Sequence, residues 1–343
     1  MMKMKYFIAL CFIGSSAHAA QEDEWAWAHR KIFSENELVA NKSKTNIIYA
    51  KTDLTLFNQL LFSWNALRPA QGHFSFYVQV RDANTKKWTH WYKMMQWGGQ
   101  RQHSFSSDDR EAITYVHVRL ETGKHYADAF RIKIDGHQKA DLSLIRSFVL
   151  ALSDWSKFNS EEEAVYNMPS VILKQVPMQS QFALDHPRAS GLCSPTSCSM
   201  LSSYLLQRPI DSLAFAEKAY DYGLGVYGSW PFNIAHAYEL CEGKFWFSVV
   251  RLHSFKQLYA RLMRNMPVAV SVRGPLIGSA TPYASGHLLL VIGWDNKTKE
   301  VICHDPAFQA PDSVLKRYPL KDFLIAWERS RRLAYAADQI FER

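Results

Sequence analysis

Two cysteines five positions apart, Cys193 and Cys198, lie in the segment SGLCSPTSCSM at residues 190–200. Ser194 is a good helix cap and Pro195 suits a first helical turn, so the sequence predicts that a helix begins between the two thiols. Cys193 would then lie where unpaired backbone amides and the helix dipole stabilise a negative charge. A thiol at such a place ionises readily and becomes a competent nucleophile.

The other cysteines indicate no such chemistry. Cys198 shares one helical stripe with Leu201 and Leu205, so we expect a buried, inert thiol. A disulfide between Cys193 and Cys198 is disfavoured because side chains at a helix start project in different directions. Cys241 and Cys303 either pair in an oxidising compartment or remain buried, and the sequence leaves both alternatives open.

A thiolate nucleophile requires a base, and the base requires an orienting partner. The segments GHLLLVIGW and KEVICHDP are typical of two strands of a hairpin. A loop at residues 295–297 would place His287 directly opposite Asp305, whose carboxylate would orient the imidazole as in known triads. A two-residue loop would instead place His287 opposite Pro306. His304 is expected to point to the other face and is the weaker candidate.

Acyl transfer also requires donors for the oxyanion. The backbone N–H of Cys193 is one candidate, because it precedes a helix. A side-chain amide from the segment VPMQSQF is the second, and spacing alone leaves Gln179 and Gln181 as alternatives.

The blocks VPMQSQ, CSPTSCSM, YGSWPFNIAHAY, MPVAVSV, GHLLLVIGW and VICHDPA resemble, in order and spacing, the double-glycine or bacteriocin-processing-like cysteine peptidases of the papain-like clan. The resemblance covers residues 171–343 and is greatest to the exported, stand-alone branch of that family. It implies an α+β papain-like cysteine peptidase domain. Within it, Cys193 would be the nucleophile, His287 the base, Asp305 the orienting residue and Gln181 the side-chain donor to the oxyanion.

The same resemblance places a few residues at the substrate cleft. The WPFN block contributes Trp230 and Asn233, and the glycine before the histidine contributes Gly286. Many relatives have Cys-Gly-Pro where this chain has Cys-Ser-Pro, and similar exported members tolerate a serine at this position.

Residues 1–19 have the features of a signal peptide. Lys3 and Lys5 precede a short apolar core, and Ala17 and Ala19 fit a cleavage site. The apolar core is far shorter than the roughly 20 residues that span a bilayer. We therefore expect export, to the periplasm or beyond, with no stable membrane insertion.

After a lead-in at residues 20–44, residues 45–152 contain short alternating runs rich in β-branched and aromatic residues. This pattern favours an antiparallel β-sandwich that precedes the peptidase domain. The polar, glutamate-containing segment 153–170 is expected to be a linker. Tryptophans such as Trp88 and Trp91 are either sheet-face residues or exposed platforms with which the β domain binds a protein or glycan.

Several other classes of protein are disfavoured. The net charge of +8 comes from scattered basic residues, so we expect no nucleic-acid partner. The segment GLGVYG follows an apparent helix, which argues against a dinucleotide site, and no zinc motif is present. We expect no cofactor and no metal.

The sequence therefore predicts an exported cysteine peptidase that hydrolyses peptide or protein substrates, with cell-wall peptides among the candidates. The reaction would pass through a thioester acyl-enzyme. Three alternatives remain at this point. The same residues serve an amidase on cell-wall peptides or an acyl transferase, and a non-catalytic binding protein could retain the papain-like scaffold.

Overall fold

The structure is a computed structural model that describes residues 25–99, 102–106, 114–116, 119–123, 125–160 and 168–340. The expected signal peptide, residues 1–19, lies outside these ranges, as do residues 161–167 of the expected linker. The described residues form a mixed fold of six α-helices and three antiparallel sheets. Among them, no helix combines the length and the apolar character that a membrane crossing requires.

The first half of the described chain consists of strands and one short helix. In chain order these are β1 (Ala26–Ile32), α1 (Glu35–Asn41), β2 (Asn46–Lys51), β3 (Gln59–Ala66), β4 (His73–Asp82), β5 (Tyr92–Trp97), β6 (His103–Ser104), β7 (Thr114–Val116), β8 (Arg119–Glu121), β9 (Ala127–His137) and β10 (Ile145–Ser153).

These strands form two five-stranded sheets, in the orders β1-β10-β3-β8-β7 and β2-β9-β4-β5-β6. Aromatic side chains from both sheets meet between them. The ring of Phe76 on β4 lies 5.4 Å from Phe62 and 4.4 Å from Trp64, both on β3. The first sheet starts before residue 45, because β1, in the expected lead-in, pairs with β10 along its whole length.

The second half contains the remaining helices and a larger sheet. Its elements are β11 (Val171–Ile172), α2 (Cys193–Leu206), α3 (Ser212–Ala219), α4 (Trp230–Leu240), β12 (Phe245–Arg251), α5 (Phe255–Leu262), β13 (Val268–Gly274), β14 (Tyr283–Asp295), β15 (Glu300–His304), β16 (Leu315–Pro319), α6 (Leu320–Glu328) and β17 (Leu333–Gln339).

The larger sheet has the order β12-β17-β13-β14-β15-β16, with β11 added on β14. Helix α2 packs against β14 and β13. It is buried on all sides from Ser194 to Ser203, and its many serines are small enough for close packing. A helix buried all round belongs to the centre of a domain, so α2 holds its first residue in a fixed place.

The hairpin of β14 and β15 corrects the expected register. Its loop has four residues, 296–299, and Trp294 pairs with Val301. A bulge near Gly293 then shifts the ladder, which ends at the pair Leu290 and His304. The bulge lies where β11 approaches so closely that a Cβ on Gly293 would be 2.5 Å from a backbone oxygen. Alternation of residue types does not reveal such a bulge.

The two halves of the chain are joined by polar contacts as well as by packing. β12 is an edge strand of the larger sheet, and side chains of β3 bind its free backbone groups. Nδ2 of Asn65 donates to the oxygen of Phe247 at 2.9 Å, and Oδ1 accepts from the Phe247 amide at 2.8 Å. Ser63 accepts from the Val249 amide at 3.1 Å. The N-terminal sheet therefore covers an edge that would otherwise be open.

Candidate active site

Cys193 is the first residue of α2, with Leu192 as the cap residue. The expected cap, Ser194, is instead inside the helix and buried, where its hydroxyl lies 3.0 Å from that of Tyr335 on β17. Pro195 occupies the first turn as expected. The amides of a first helical turn have no acceptor within the helix, so the thiol of Cys193 lies among free N–H donors. Cys193 is also partly exposed.

His287 and Asp305 meet, although not as cross-strand partners. His287 pairs with Val272 of β13, and Asp305 follows the last residue of β15. The backbone amide of Asp305 binds the oxygen of Val314 at 2.8 Å, which holds the carboxylate in place. Nε2 of His287 then lies 2.7 Å from Oδ1 of Asp305. Because Nε2 is engaged, Nδ1 is the ring nitrogen left for a thiol.

Two tyrosines complete the surroundings of the carboxylate. Oδ2 of Asp305 accepts hydrogen bonds from Tyr283 at 2.7 Å and from Tyr318 at 2.6 Å, while Oδ1 also accepts from the amide of Ala307 at 3.0 Å. Sequence reasoning missed both tyrosines. Tyr283 could have been found, since it lies four residues before His287 on the same strand and hence on the same face.

The electrostatics of the site favour a charged pair. Burial opposes ionisation of the Cys193 thiol, but His287 and the backbone amides of Leu288 and Ser194 outweigh it and lower the pKa of Cys193. Burial also opposes the charged imidazole, yet the charge and hydrogen bond of Asp305 raise the pKa of His287 well above its usual value. The arrangement can therefore hold a thiolate beside an imidazolium.

The carboxylate itself is stabilised as an anion. Asp305 is fully buried, which disfavours its charge, but the charge of His287 and the hydrogen bonds of His287, Tyr318 and Tyr283 lower the pKa of Asp305 below its usual value. A buried carboxylate with this many donors stays ionised and orients the imidazole.

Cys193 and His287 open into a cleft with a cavity of about 350 Å³. Trp230, the first residue of α4, and Gly286 of β14 also line it. Arg119 of β8 contributes to the same wall, so the N-terminal half of the chain takes part in forming the cleft.

Gln181 lies beside the turn that leads to the nucleophile candidate. Its Nε2 is 3.1 Å from the oxygen of Ala189 and 3.1 Å from that of Ser190, so both amide N–H groups are directed at backbone carbonyls. Its own backbone amide binds the oxygen of Pro306 at 3.0 Å. Gln181 thus links the chain before Cys193 to the segment after Asp305.

The alternative amide, Gln179, has a different place. Its Nε2 donates to the oxygen of Ile210, and its Oε1 accepts from Ser199 at 2.6 Å and from Ser212 at 2.7 Å. Gln179 therefore ties α2 to α3 and is a structural residue.

Asn233 does not line the cleft, in contrast to the expectation for the WPFN block. It is fully buried, and Nδ2 donates to the oxygens of Tyr227 and Ser229, both at 2.8 Å. The side chain therefore stabilises the entry to α4, which places Trp230 at the cleft.

The glycine-containing segment GLGVYG forms a loop closed by a bridge between Asp221 and Val226. A Cβ on Gly223 would lie 2.0 Å from the oxygen of Ser104 on β6. The carboxylate of Asp221 accepts from the amide and the hydroxyl of the same serine. This loop is therefore a contact between the two halves of the chain.

The remaining thiols of the described chain are free and fully buried: Cys198, Cys241 and Cys303. Burial raises the pKa of Cys241 to about 12 and raises the pKa values of the other two as well. Of the two alternatives for Cys241 and Cys303, the structure has the unpaired one.

Comparison with known families supports a cysteine peptidase. Residues 173–335 match the family described as Peptidase_C39 like. The resemblance of this region to bacteriocin-processing-type cysteine peptidases of the papain-like clan is thereby confirmed.

Two solved structures are similar to half of the chain. One is described as a C39-like peptidase from Bacillus anthracis, with 18% identity, a TM-score of 0.39, and coverage of 50% of this chain and 99% of that chain. The other is Xylellain, a cysteine protease from Xylella fastidiosa, with 12% identity, a TM-score of 0.32, and coverage of 50% and 87%. A search of curated proteins finds no match to the chain.

Proposed function

We propose that the chain is a cysteine peptidase in which Cys193 is the nucleophile, His287 the general base and Asp305 the orienting residue. One observation carries the proposal: Nε2 of His287 lies 2.7 Å from Oδ1 of Asp305, which leaves Nδ1 for the thiol at the start of α2. The family match of residues 173–335 supports peptide hydrolysis as the class of reaction.

In the proposed mechanism, Nδ1 of His287 accepts the thiol proton and the Cys193 sulfur attacks the carbonyl carbon of a peptide bond. The resulting oxyanion collapses, the C–N bond breaks, and His287 returns the proton to the leaving amine. Water, activated by the same imidazole, then attacks the thioester, which releases the acid product and restores the thiol.

The oxyanion requires preorganised donors. The Cys193 amide suits this role because it is the first amide of α2. Gln181 is proposed as the second donor. In this role one of its N–H groups would exchange a contact with the oxygen of Ala189 or Ser190 for one with the oxyanion.

We further propose that the chain is exported and that residues 1–19 are its signal peptide. The evidence is the charged start, the short apolar core and the small residues at positions 17 and 19. Export predicts that the mature protein begins at residue 20. Mass spectrometry of protein from cell fractions checks this, and full-length protein in the cytosol would contradict it.

The two N-terminal sheets are proposed to form a β-sandwich, over residues 45–152 together with β1, ahead of a papain-like domain at 171–343. The aromatic contacts between β3 and β4 support this division, and segment 153–170 would connect the two. Such a β domain would hold the enzyme on a protein or a glycan. Binding of the full chain, as a Cys193→Ala variant fused to a fluorescent protein, to cell surfaces before and after removal of their proteins or glycans tests that role.

The proposed activity is tested with peptides prepared from a denatured proteome. Wild-type protein should release new amino termini, which mass spectrometry identifies, and Cys193→Ala and His287→Ala should release none. Cys198→Ala serves as a matched control, because it removes a thiol on the same helix that faces the core.

Added hydroxylamine distinguishes a thioester from direct attack by water. This stronger nucleophile should convert part of the acid products to hydroxamates. Cleavage that persists in Cys193→Ala would contradict the proposal.

A further inference from the structure

The cleft that contains Cys193 is strongly basic. Its walls carry five arginines and, within the part of the chain that the structure describes, no aspartate or glutamate. The five are Arg119, Arg251, Arg273, Arg329 and Arg331. They come from β8, β12, β13 and the turn between α6 and β17, so the fold gathers them from separate parts of the sequence.

The carboxylate of Glu121, which does not line the cleft, partly compensates this charge. Oε1 of Glu121 lies 2.8 Å from Nε of Arg119 and 3.2 Å from Nη1 of Arg331. Gln59 donates to the same oxygen at 2.7 Å. The other three arginines of the cleft form no ion pair with any described residue, so the cleft keeps an excess of positive charge.

Arg251 is the least solvated of these three, with 6% of its surface exposed. Its Nε donates to Oε1 of Gln59 at 2.6 Å, and Nη1 donates to the oxygens of Ser330 and Arg331 at 3.0 and 2.6 Å. All of these acceptors are neutral. Glu121 attracts this guanidinium without forming an ion pair with it, while burial, Arg331 and Arg119 act against its charge. A buried guanidinium without a directly bonded counter-ion is costly, and an anion that enters the cleft would offset that cost.

Arg273 and Arg329 reach the cleft through two local features of β13. The ladder of β13 and β14 is irregular between Val272 and Gly274, so Arg273 falls at a bulge. Bulges next to active sites redirect a side chain. Gly274, at φ +77°, leaves space for the Arg329 side chain, since a Cβ there would lie 2.7 Å from Nη1 of that arginine.

We propose that the arginines of this cleft bind a carboxylate of the substrate, so that the enzyme prefers acidic peptides with aspartate or glutamate close to the cleaved bond. This inference rests on the proposed function, because Cys193 and the arginines share one cleft. Guanidinium groups match the planar geometry of a carboxylate and bind it with two hydrogen bonds. Several of them around one cavity select for negative charge as well as for shape.

The electrostatic effect of the arginines in the cleft can be measured without a known substrate. Iodoacetate and iodoacetamide alkylate a thiolate by the same displacement of iodide, but only iodoacetate carries a negative charge. At low salt, we expect the rate constant for iodoacetate divided by that for iodoacetamide to be higher at Cys193 than for free cysteine. This ratio should decline as salt is added.

Variants assign this ratio to the arginines. Arg273 and Arg329 are both exposed, so in the double variant Arg273→Gln with Arg329→Gln the ratio should fall by up to about fivefold for each charge removed. Arg208→Gln, at the far end of α2, removes an exposed charge outside the cleft and should leave the ratio unchanged. An unchanged ratio in the double variant overturns the inference. If neither reagent alkylates Cys193 in wild-type protein, the proposed function fails, and this inference with it.

Cleavage of the peptides prepared from a denatured proteome provides a second test of this preference. Acidic residues should be enriched within two positions of the cleaved bonds, and this enrichment should be lost in the double arginine variant. A parallel library with amidated carboxyl termini distinguishes side-chain carboxylates from terminal ones. Cleavage that depends on Cys193 but shows no preference for either carboxylate would overturn the inference while the proposed function stands.

Discussion

The ring of Tyr283 lies almost parallel to the ring of His287, with the centroids 4.1 Å apart and an interplanar angle of 19°. The tyrosine hydroxyl also donates to Asp305 at 2.7 Å. One side chain therefore contacts both partners of the buried pair, which fixes the plane of the imidazole and stabilises the carboxylate. The site is held by a group of four residues, which Tyr318 completes.

Removal of the Tyr283 hydroxyl should destabilise the protein in a pH-dependent way. Tyr283→Phe takes one donor from a buried carboxylate, which costs about 1.5–3 kcal/mol. The pKa of Asp305 is lowered in the folded state, so its stabilising effect is present above the unfolded value and is lost as the pH falls through the folded value. The variant raises the folded value, so acid unfolding should begin at a higher pH.

Thermal unfolding across the acid range measures this effect. Tyr204→Phe is the matched control, because the Tyr204 hydroxyl forms no hydrogen bond with described residues. Identical acid profiles for Tyr283→Phe and the wild type would contradict the role of the hydroxyl.

The charge of Asp305 should set the reactivity of the thiol. Asp305→Asn keeps a side chain of similar shape but removes the charge that raises the pKa of His287. Without the imidazolium, the pKa of Cys193 should rise toward the usual thiol value of about 8.5. The pH midpoint of iodoacetamide alkylation should therefore move upward, whereas Asp295→Asn, at the last residue of β14, should match the wild type.

Gln181 has two possible roles that kinetics can separate. An oxyanion donor contributes only when a tetrahedral intermediate forms, so Gln181→Ala should reduce the rate of peptide cleavage about 100-fold. Alkylation by iodoacetamide forms no oxyanion and should keep its rate. Equal losses in both reactions would show that Gln181 acts by holding the turn at residues 189–190 instead.

The contact between the halves of the chain should contribute to stability. Asn65→Ala leaves two buried backbone groups of Phe247 without partners, which costs about 1–3 kcal/mol for each. Urea unfolding should show a lower midpoint, and Asn46→Ala, at an exposed position of β2, should not. If Asn65→Ala and Asn46→Ala have the same urea midpoint, the bonds from Asn65 to the β12 edge contribute nothing to stability.

Local signals predicted much of the second half of the chain. Pro195 indicates a helix start, and α2 begins two residues before it. The sequence patterns at 211–221, 231–240 and 254–264 also predict helices, and α3, α4 and α5 agree with these ranges to within two residues at each end. These elements have amphipathic faces or capping residues, and such signals act within a few residues.

Features that depend on distant parts of the chain were missed or wrong. β3 is buried on both faces, so its sequence has no alternation that would predict a strand. The β14–β15 register was wrong because the loop has four residues, 296–299, instead of the expected three, and because the pairing shifts again at the bulge near Gly293, where β11 approaches. Asp305 nevertheless reaches His287, because the chain after β15 turns back and is held by Val314. The cluster of arginines has no motif, since the fold assembles it from four regions.

In the proposed mechanism His287 activates Cys193. The most direct test of this step is the rate of iodoacetamide alkylation at Cys193 against pH, measured by mass spectrometry of the Cys193 peptide in wild-type protein and in His287→Ala. We expect fast alkylation in the wild type, with a pH midpoint below that of an ordinary thiol, and slow alkylation in the variant, with a higher pH midpoint. Equal rates and midpoints for the two proteins would contradict this mechanism.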